Sequence, residues 1–343
     1  MENDTHDEKM SRRDTLKSMG WMSLGAVLAH AGFYEAYDKH QSGIDHPSAA
    51  QRFKRQDLGE KIRVTAKDSQ VRPEEKEIVD NIVSVLPKSA QYIEDIVGAV
   101  HAYEKIFPVP LEIAAALFNR ESKYDPKARS RCFALGIAQF MRSTAIEEPF
   151  NMTVYTEETH KVLYDLESAI MPLNADIAKL ERKWGNLKAE KKYAELALSI
   201  NASIGEYNKK IMQRTLLQKQ YDTIFDETIT PENDQRTDAH ISIVDGVWYV
   251  ALLADMVQER YHGDRKITIL RALSIYNSGP KQSRKNPAGI STNDETRGFI
   301  EDITFNSDRI IDPRGWLNTG KEAILYAQAA AKNPQDRSIS ENY

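Results

Sequence analysis

The stretch that decides the fold runs from Leu117 to Ala145 and reads LFNRESKYDPKARSRCFALGIAQFMRSTA. Its first residues close an apolar helix that opens at Pro110 and carries Leu111, Ile113, Ala114, Ala115, Leu117 and Phe118. Glu121 stands at the end of that helix. Asp125-Pro126 then turns the chain away, because the residue before a proline is pushed out of helical geometry. A carboxyl group among apolar neighbours has its charged form disfavoured, which suits a general acid working near neutral pH. Gly136 permits a tight approach of backbone, and Gln139 brings a neutral donor and acceptor matched to sugar hydroxyls and acetamides. Taken alone, a glutamate at a helix end is an ordinary solvated charge. Its meaning depends on what surrounds it.

Working outward, helical signals dominate on both sides. Pro73-Glu74-Glu75 is a helix start, with Ile78, Ile82, Val83 and Leu86 at helical spacing before Pro87. Ile93, Ile96, Val97, Val100 and Tyr103 repeat the pattern. Strand signals are nearly absent, so the fold class is all-α. Downstream, Tyr276-Asn277-Ser278-Gly279-Pro280 sets a polar pair at the end of an apolar helix, followed by a sharp stop. Glu295-Thr296 with Phe299 follows a further loop.

These pieces, in this order, resemble the soluble, goose-lysozyme-like type of lytic transglycosylase. The family's Glu-Ser motif is Glu121-Ser122, and its serine turn into Gly-Leu-Met-Gln is Ser130 followed by Gly136-Ile137-Ala138-Gln139. Its Ser-Thr-Ala helix start is Ser143-Thr144-Ala145, and its Tyr-Asn segment is Ile275 to Pro280. Phe133 stands where the family commonly has glycine, Ala138 replaces its methionine, and Phe299 replaces a tyrosine. The resemblance implies a lysozyme-like catalytic domain that cuts the β-1,4 bond between N-acetylmuramic acid and N-acetylglucosamine in peptidoglycan. Glu121 would be general acid and then base, leaving 1,6-anhydro ends. Gln139, Tyr276 and Asn277 would hold the sugar or tune Glu121, with Ser122, Glu295 and Phe299 as further substrate-binding positions. No second carboxylate is evident, and Asp125 suits a turn better. Two alternatives stay open: a hydrolytic muramidase of the same fold, and a weakly active glycan-binding scaffold whose helical hairpin recruits an envelope complex.

Residues 73–146 and 239–306 are expected to form this domain, interrupted by an insertion over 147–238. In the insertion Leu163, Leu166, Ile170, Leu173, Ile177, Leu180, Trp184 and Leu187 make a heptad seam. Gly185-Asn186 and the charged run that follows read as a turn. Tyr193, Ala197, Ile200, Ile204, Tyr207 and Ile211 make a second seam. The pattern predicts an antiparallel coiled-coil hairpin with arms of roughly 28 residues, projecting about 40 Å. Such a hairpin either buries its own seams or docks a protein partner. A C-terminal helix and tail fill 307–343.

At the other end, Arg12-Arg13 precedes a mild apolar stretch and Ala29-His30-Ala31, which resembles a twin-arginine export signal over 1–31 and implies a periplasmic protein. Residues 32–72 read as a linker or loose arm. The 343 residues carry a net charge of -5, which gives no basic footprint for nucleic acid. A single cysteine, Cys132, excludes an internal disulfide and a cysteine-rich zinc site. No His-Glu-x-x-His or acidic calcium loop occurs, so neither metal nor cofactor is expected. No uninterrupted apolar run is long enough to span a bilayer.

Overall fold

The computed structural model describes residues 63–147, 149–190, 192–261, 264–279, 286, 288–311 and 315–332. The expected export signal, most of the arm over 32–72, Pro280 and the tail from 333 onward lie outside the described residues. In chain order the helices are α1 (Lys76–Val85), α2 (Ile93–Tyr103), α3 (Leu111–Ser122), α4 (Arg142–Ile146), α5 (Lys161–Ala189), α6 (Tyr193–Thr228), α7 (Ala239–Tyr261), α8 (Arg265–Ser278), α9 (Asp294–Ile310) and α10 (Trp316–Lys332). The fold is all-α. Among the described residues the only β-type pairings are isolated bridges, Arg129 with Leu135 and Leu135 with Phe140.

Local chemistry sets the helix ends. The Asp264 side chain accepts from the N–H groups of Lys266 and Ile267 to start α8, and Asn293 accepts from Thr296 to start α9. α7 is the centre of the bundle, packed by α2 on one side and α8 on another, while α9 covers α3 and is covered in turn by α10. By length and composition alone α7 could cross a membrane, but most of it is enclosed by the other helices, so it is the core helix. Trp248 of α7 stacks on Tyr103 of α2 with centroids 5.6 Å apart.

Part of the expected loose arm is bound to this core. Residues 63–67 are helical and Ala66 is buried. A side chain at Gly98 on α2 would collide with the Ala66 carbonyl, so the glycine is what lets the arm lie so close. Arg63 pairs with the buried Asp245 of α7 and donates to the Phe150 carbonyl at 2.9 Å. This contact is long-range and leaves no periodicity for the sequence to display.

Between α4 and α7 the chain runs out along α5 and back along α6. Tyr221 meets Glu167, Lys210 meets Asp176, Tyr207 meets Glu181, and Ser203 meets Trp184. Partners descend one helix as they ascend the other, so the pair is antiparallel. α5 has 29 residues and α6 has 36, which at 1.5 Å per residue are about 43 and 54 Å long. The helix continues through Gly185-Asn186 to Ala189 and the second begins at Tyr193, so the chain reverses within the charged run that was expected to turn. The seam is also uneven. Leu163, Ile170 and Ile177 are buried, whereas Tyr193 and Ile204, expected inside it, are 64% and 45% exposed. Polar pairs replace apolar packing toward the tip.

A second small core sits at the root of this hairpin. Phe133, Leu135, Tyr155, Leu163, Ile170, Tyr221, Phe225 and Ile229 form it. Two of these, Phe133 and Leu135, belong to the loop between α3 and α4, so that loop is pinned to the hairpin.

Candidate active site

Glu121 owes its position to how α3 stops. The helix buries Leu111 through Phe118, then ends at Ser122 with Lys123 and Tyr124 both left-handed, at φ 54° and 63°. Tyr124 is held there by a hydroxyl donated to the Ala115 carbonyl at 2.6 Å. The reversal therefore comes two residues before Asp125-Pro126. Asp125 caps the following turn, accepting from the Lys127 N–H at 2.9 Å. Glu121 is left half-buried in the wall of a cleft with about 620 Å³ of empty space, open solvent included.

One wall of the cleft is the loop from Ser130 to Met141. The Ser130 hydroxyl accepts from the N–H groups of Cys132 and Ala134. Gly136, at φ 80°, lies so close to the Arg236 carbonyl that any side chain there would overlap it. Gln139 is also left-handed, at φ 52°, a conformation that costs a non-glycine residue about 1–3 kcal/mol. Its amide nitrogen donates to the carbonyls of Ala128 and Gly136 at 3.0 and 2.8 Å, which holds that conformation. Beneath the loop, the fully buried Arg236 is clasped by Asp234 at 2.6 and 2.9 Å and donates to the carbonyls of Phe133 and Phe140. A buried ion pair with its remaining donors satisfied specifies a geometry more than it adds stability. Ala138 is buried because α7 crosses here: its Cβ lies where a side chain at Gly246 would be.

The opposite wall comes from the end of α8 and the start of α9. The Tyr276 ring lies against Tyr249, centroids 5.2 Å apart, and its hydroxyl donates to the Ala138 carbonyl at 2.6 Å. That bond ties the two walls together. Asn277 accepts from the Thr296 hydroxyl at 2.9 Å and hydrogen-bonds Glu295.

The electrostatics favour protons on both carboxyls. Burial pushes Glu121 up to about 8, opposed by Arg120 and helped by the negative charge of Glu295. Burial also pushes Glu295 up to about 7, opposed by Arg120 and by the Asn277 hydrogen bond. Glu121 keeps part of its surface open to the cleft, which is where another group can reach its proton. Tyr276 is raised by burial, then by Glu121 and Tyr249, so its hydroxyl stays neutral.

Of the seven positions expected to act, Glu121, Gln139, Tyr276, Asn277 and Glu295 line this one cleft. Ser122 and Phe299 do not. The Ser122 hydroxyl turns back to the Phe118 carbonyl of its own helix, and Phe299 is sealed in the main core, 2% exposed. The sequence also suggested one carboxylate, yet folding brings Glu295 to the side of Glu121 from 174 positions away. Tyr249 and Arg236 were not legible as site residues: the first reads as one of many apolar helix positions, and the second sits in a polar loop without a motif.

A family model described as a transglycosylase SLT domain matches residues 98–221. The match takes in the second half of α2, then α3, the cleft loop, α4 and α5, and it extends into α6. Tyr276, Asn277 and Glu295 lie beyond it. No curated protein and no solved structure matches the chain. With the all-α architecture and the motif-bearing helix end both inside the matched range, residues 98–221 are similar to the transglycosylase SLT domain, which supports the resemblance to the soluble lytic transglycosylases.

Proposed function

We propose that this protein is a peptidoglycan lytic transglycosylase acting outside the cytoplasm, on the bond between N-acetylmuramic acid and N-acetylglucosamine. The observation that carries this reading is Glu121: a carboxyl at the end of an apolar helix, opening into a polar cleft, that keeps its proton at neutral pH. In the first step Glu121 gives that proton to the glycosidic oxygen as the bond to C1 breaks. The resulting carboxylate then takes the proton of the muramoyl C6 hydroxyl, whose oxygen closes on C1. No water is consumed, the product is a 1,6-anhydro end, and Glu121 is protonated again. Tyr276 and Gln139 fix the walls between which the sugars lie, and Asn277 holds Glu295. Export by the Arg12-Arg13 signal is part of the same proposal.

Glu295 favours one competing reading. Most glycosidases use two carboxyls, the second activating a water or attacking the sugar, and Glu295 is the second carboxyl of this cleft. The products separate the two. Mass spectrometry of digested sacculi is expected to show anhydro-muramic ends; reducing ends would assign a hydrolase and discard the lyase.

A further inference from the structure

Between the cleft loop and the hairpin root lies a second groove, with about 870 Å³ of empty space, open solvent included. Lys127, Arg129 and Arg131 line it from the loop, Asn174 from α5, and Arg214 and Gln218 from α6. Its acidic members are already engaged. Asp125 caps its own turn, and Asp222 accepts from Gln218 at 2.9 Å and pairs with Arg129 at 3.4 Å. Arg129 also meets Asp226 at 3.1 Å and lies over the Phe225 ring, so it serves the hairpin root.

Arg131 and Arg214 are different. Both are half-buried, and neither forms an ion pair among the described residues. Burial disfavours the charge of Arg214, and Arg131 lies near enough to add to this. Glu181 on α5 attracts Arg214, but its carboxylate already accepts from Tyr207 at 2.9 Å. The pair is held in place nonetheless: Asn174 donates to the Arg131 carbonyl at 2.8 Å, joining loop to hairpin. Two guanidiniums that share a groove and form no close ion pair among the described residues offer a fork suited to a carboxylate. The groove meets the cleft at Ser130, which lines both.

We propose that this groove binds a carboxylate of the peptide that branches from the glycan, gripped by Arg131 and Arg214 while the sugars occupy the adjoining cleft. The proposal rests on peptidoglycan being the substrate. Where a peptide is attached the muramoyl lactyl acid is an amide, so the carboxylates of such a unit lie on its peptide. The cleft then reads the sugars, and the hairpin reads whether a peptide is attached.

The test is calorimetric titration of the full chain with a synthetic acidic stem tetrapeptide, and with the same peptide amidated at its carboxylates. The wild type is expected to bind the acidic form at least about tenfold better, in line with hydrogen bonds to charged groups, and less so at high salt. R131A/R214A should lose that advantage, and R131K/R214K should keep only part of it, because an ammonium retains the charge but not the fork. Neither arginine supports an ion pair, so the variants should keep the wild-type helical circular dichroism and melting temperature. Equal binding of the two peptides, no binding to wild type, or an unaltered R131A/R214A would overturn the proposal. Lysis of sacculi is scored separately. Peptide binding without lysis refutes the transglycosylase reading alone; lysis without peptide binding refutes the groove alone.

Discussion

At the residue scale, Glu121 is a group whose function and stability oppose each other. Its folded pKa of about 8 lies above its ordinary 4.5. Between those values the folded state holds a proton that the unfolded state has released, so stability falls as pH rises through that window. Glu121→Gln removes the penalty. At pH 7 it is expected to stabilise the fold by on the order of 1 kcal/mol, less than full linkage because the side chain is partly solvated. At pH 4, where both states are protonated, the gain should vanish. Urea melts at the two pH values check this, and a stability gain that is the same at both would contradict it. Activity follows the same proton: it should fall as pH rises past about 8, where the acid form is lost. A rate that keeps rising above pH 9 would exclude Glu121 as the donor.

At the element scale, the hairpin is firm at its root and loose toward its tip. Glu167 is buried between the helices and accepts from Tyr155, from Tyr221 at 3.1 Å and from Arg142 at 2.7 Å. Arg142 begins α4, which borders the cleft, so this network joins hairpin to site. Glu167→Ala leaves a cation and two hydroxyls without their acceptor and should cost about 3–5 kcal/mol. Asp176→Ala breaks only a solvated pair with Lys210 and should cost under about 1 kcal/mol. Denaturant unfolding of the two variants checks the contrast; equal costs would refute a root-weighted hairpin.

The helices themselves were legible, because periodicity and prolines are local. The turn was legible in the charged run but not at Gly185-Asn186, since Gly185 in a helix costs only about 1 kcal/mol and packing against α6 overrides it. Phe133 is instructive in another way. It is left-handed, at φ 63°, where glycine fits without strain, and its ring reaches Tyr221 at 4.9 Å. A departure visible in the sequence is thus an anchor for the hairpin, which no sequence pattern could disclose.

At the scale of the whole molecule, a helical bundle around α7 carries one cleft whose walls come from distant segments. The α3 end, the Ser130 to Met141 loop and the α8–α9 junction meet there. The motif residues that meet were readable as motifs, but their meeting depends on tertiary contacts such as Gly246 against Ala138 and Tyr276 to the Ala138 carbonyl. The arm at 63–67 and the Arg236–Asp234 clasp were unreadable for the same reason. Both carboxyls of the cleft are held near neutrality, yet only Glu121 is required as proton donor in the proposed chemistry. The most direct test compares sacculus lysis by wild type, Glu121→Gln and Glu295→Gln, each shown by circular dichroism to be folded. Loss of roughly 10²–10⁴-fold for Glu121→Gln, with anhydro ends from whatever Glu295→Gln still releases, is the predicted result. Lysis undiminished in Glu121→Gln would contradict it.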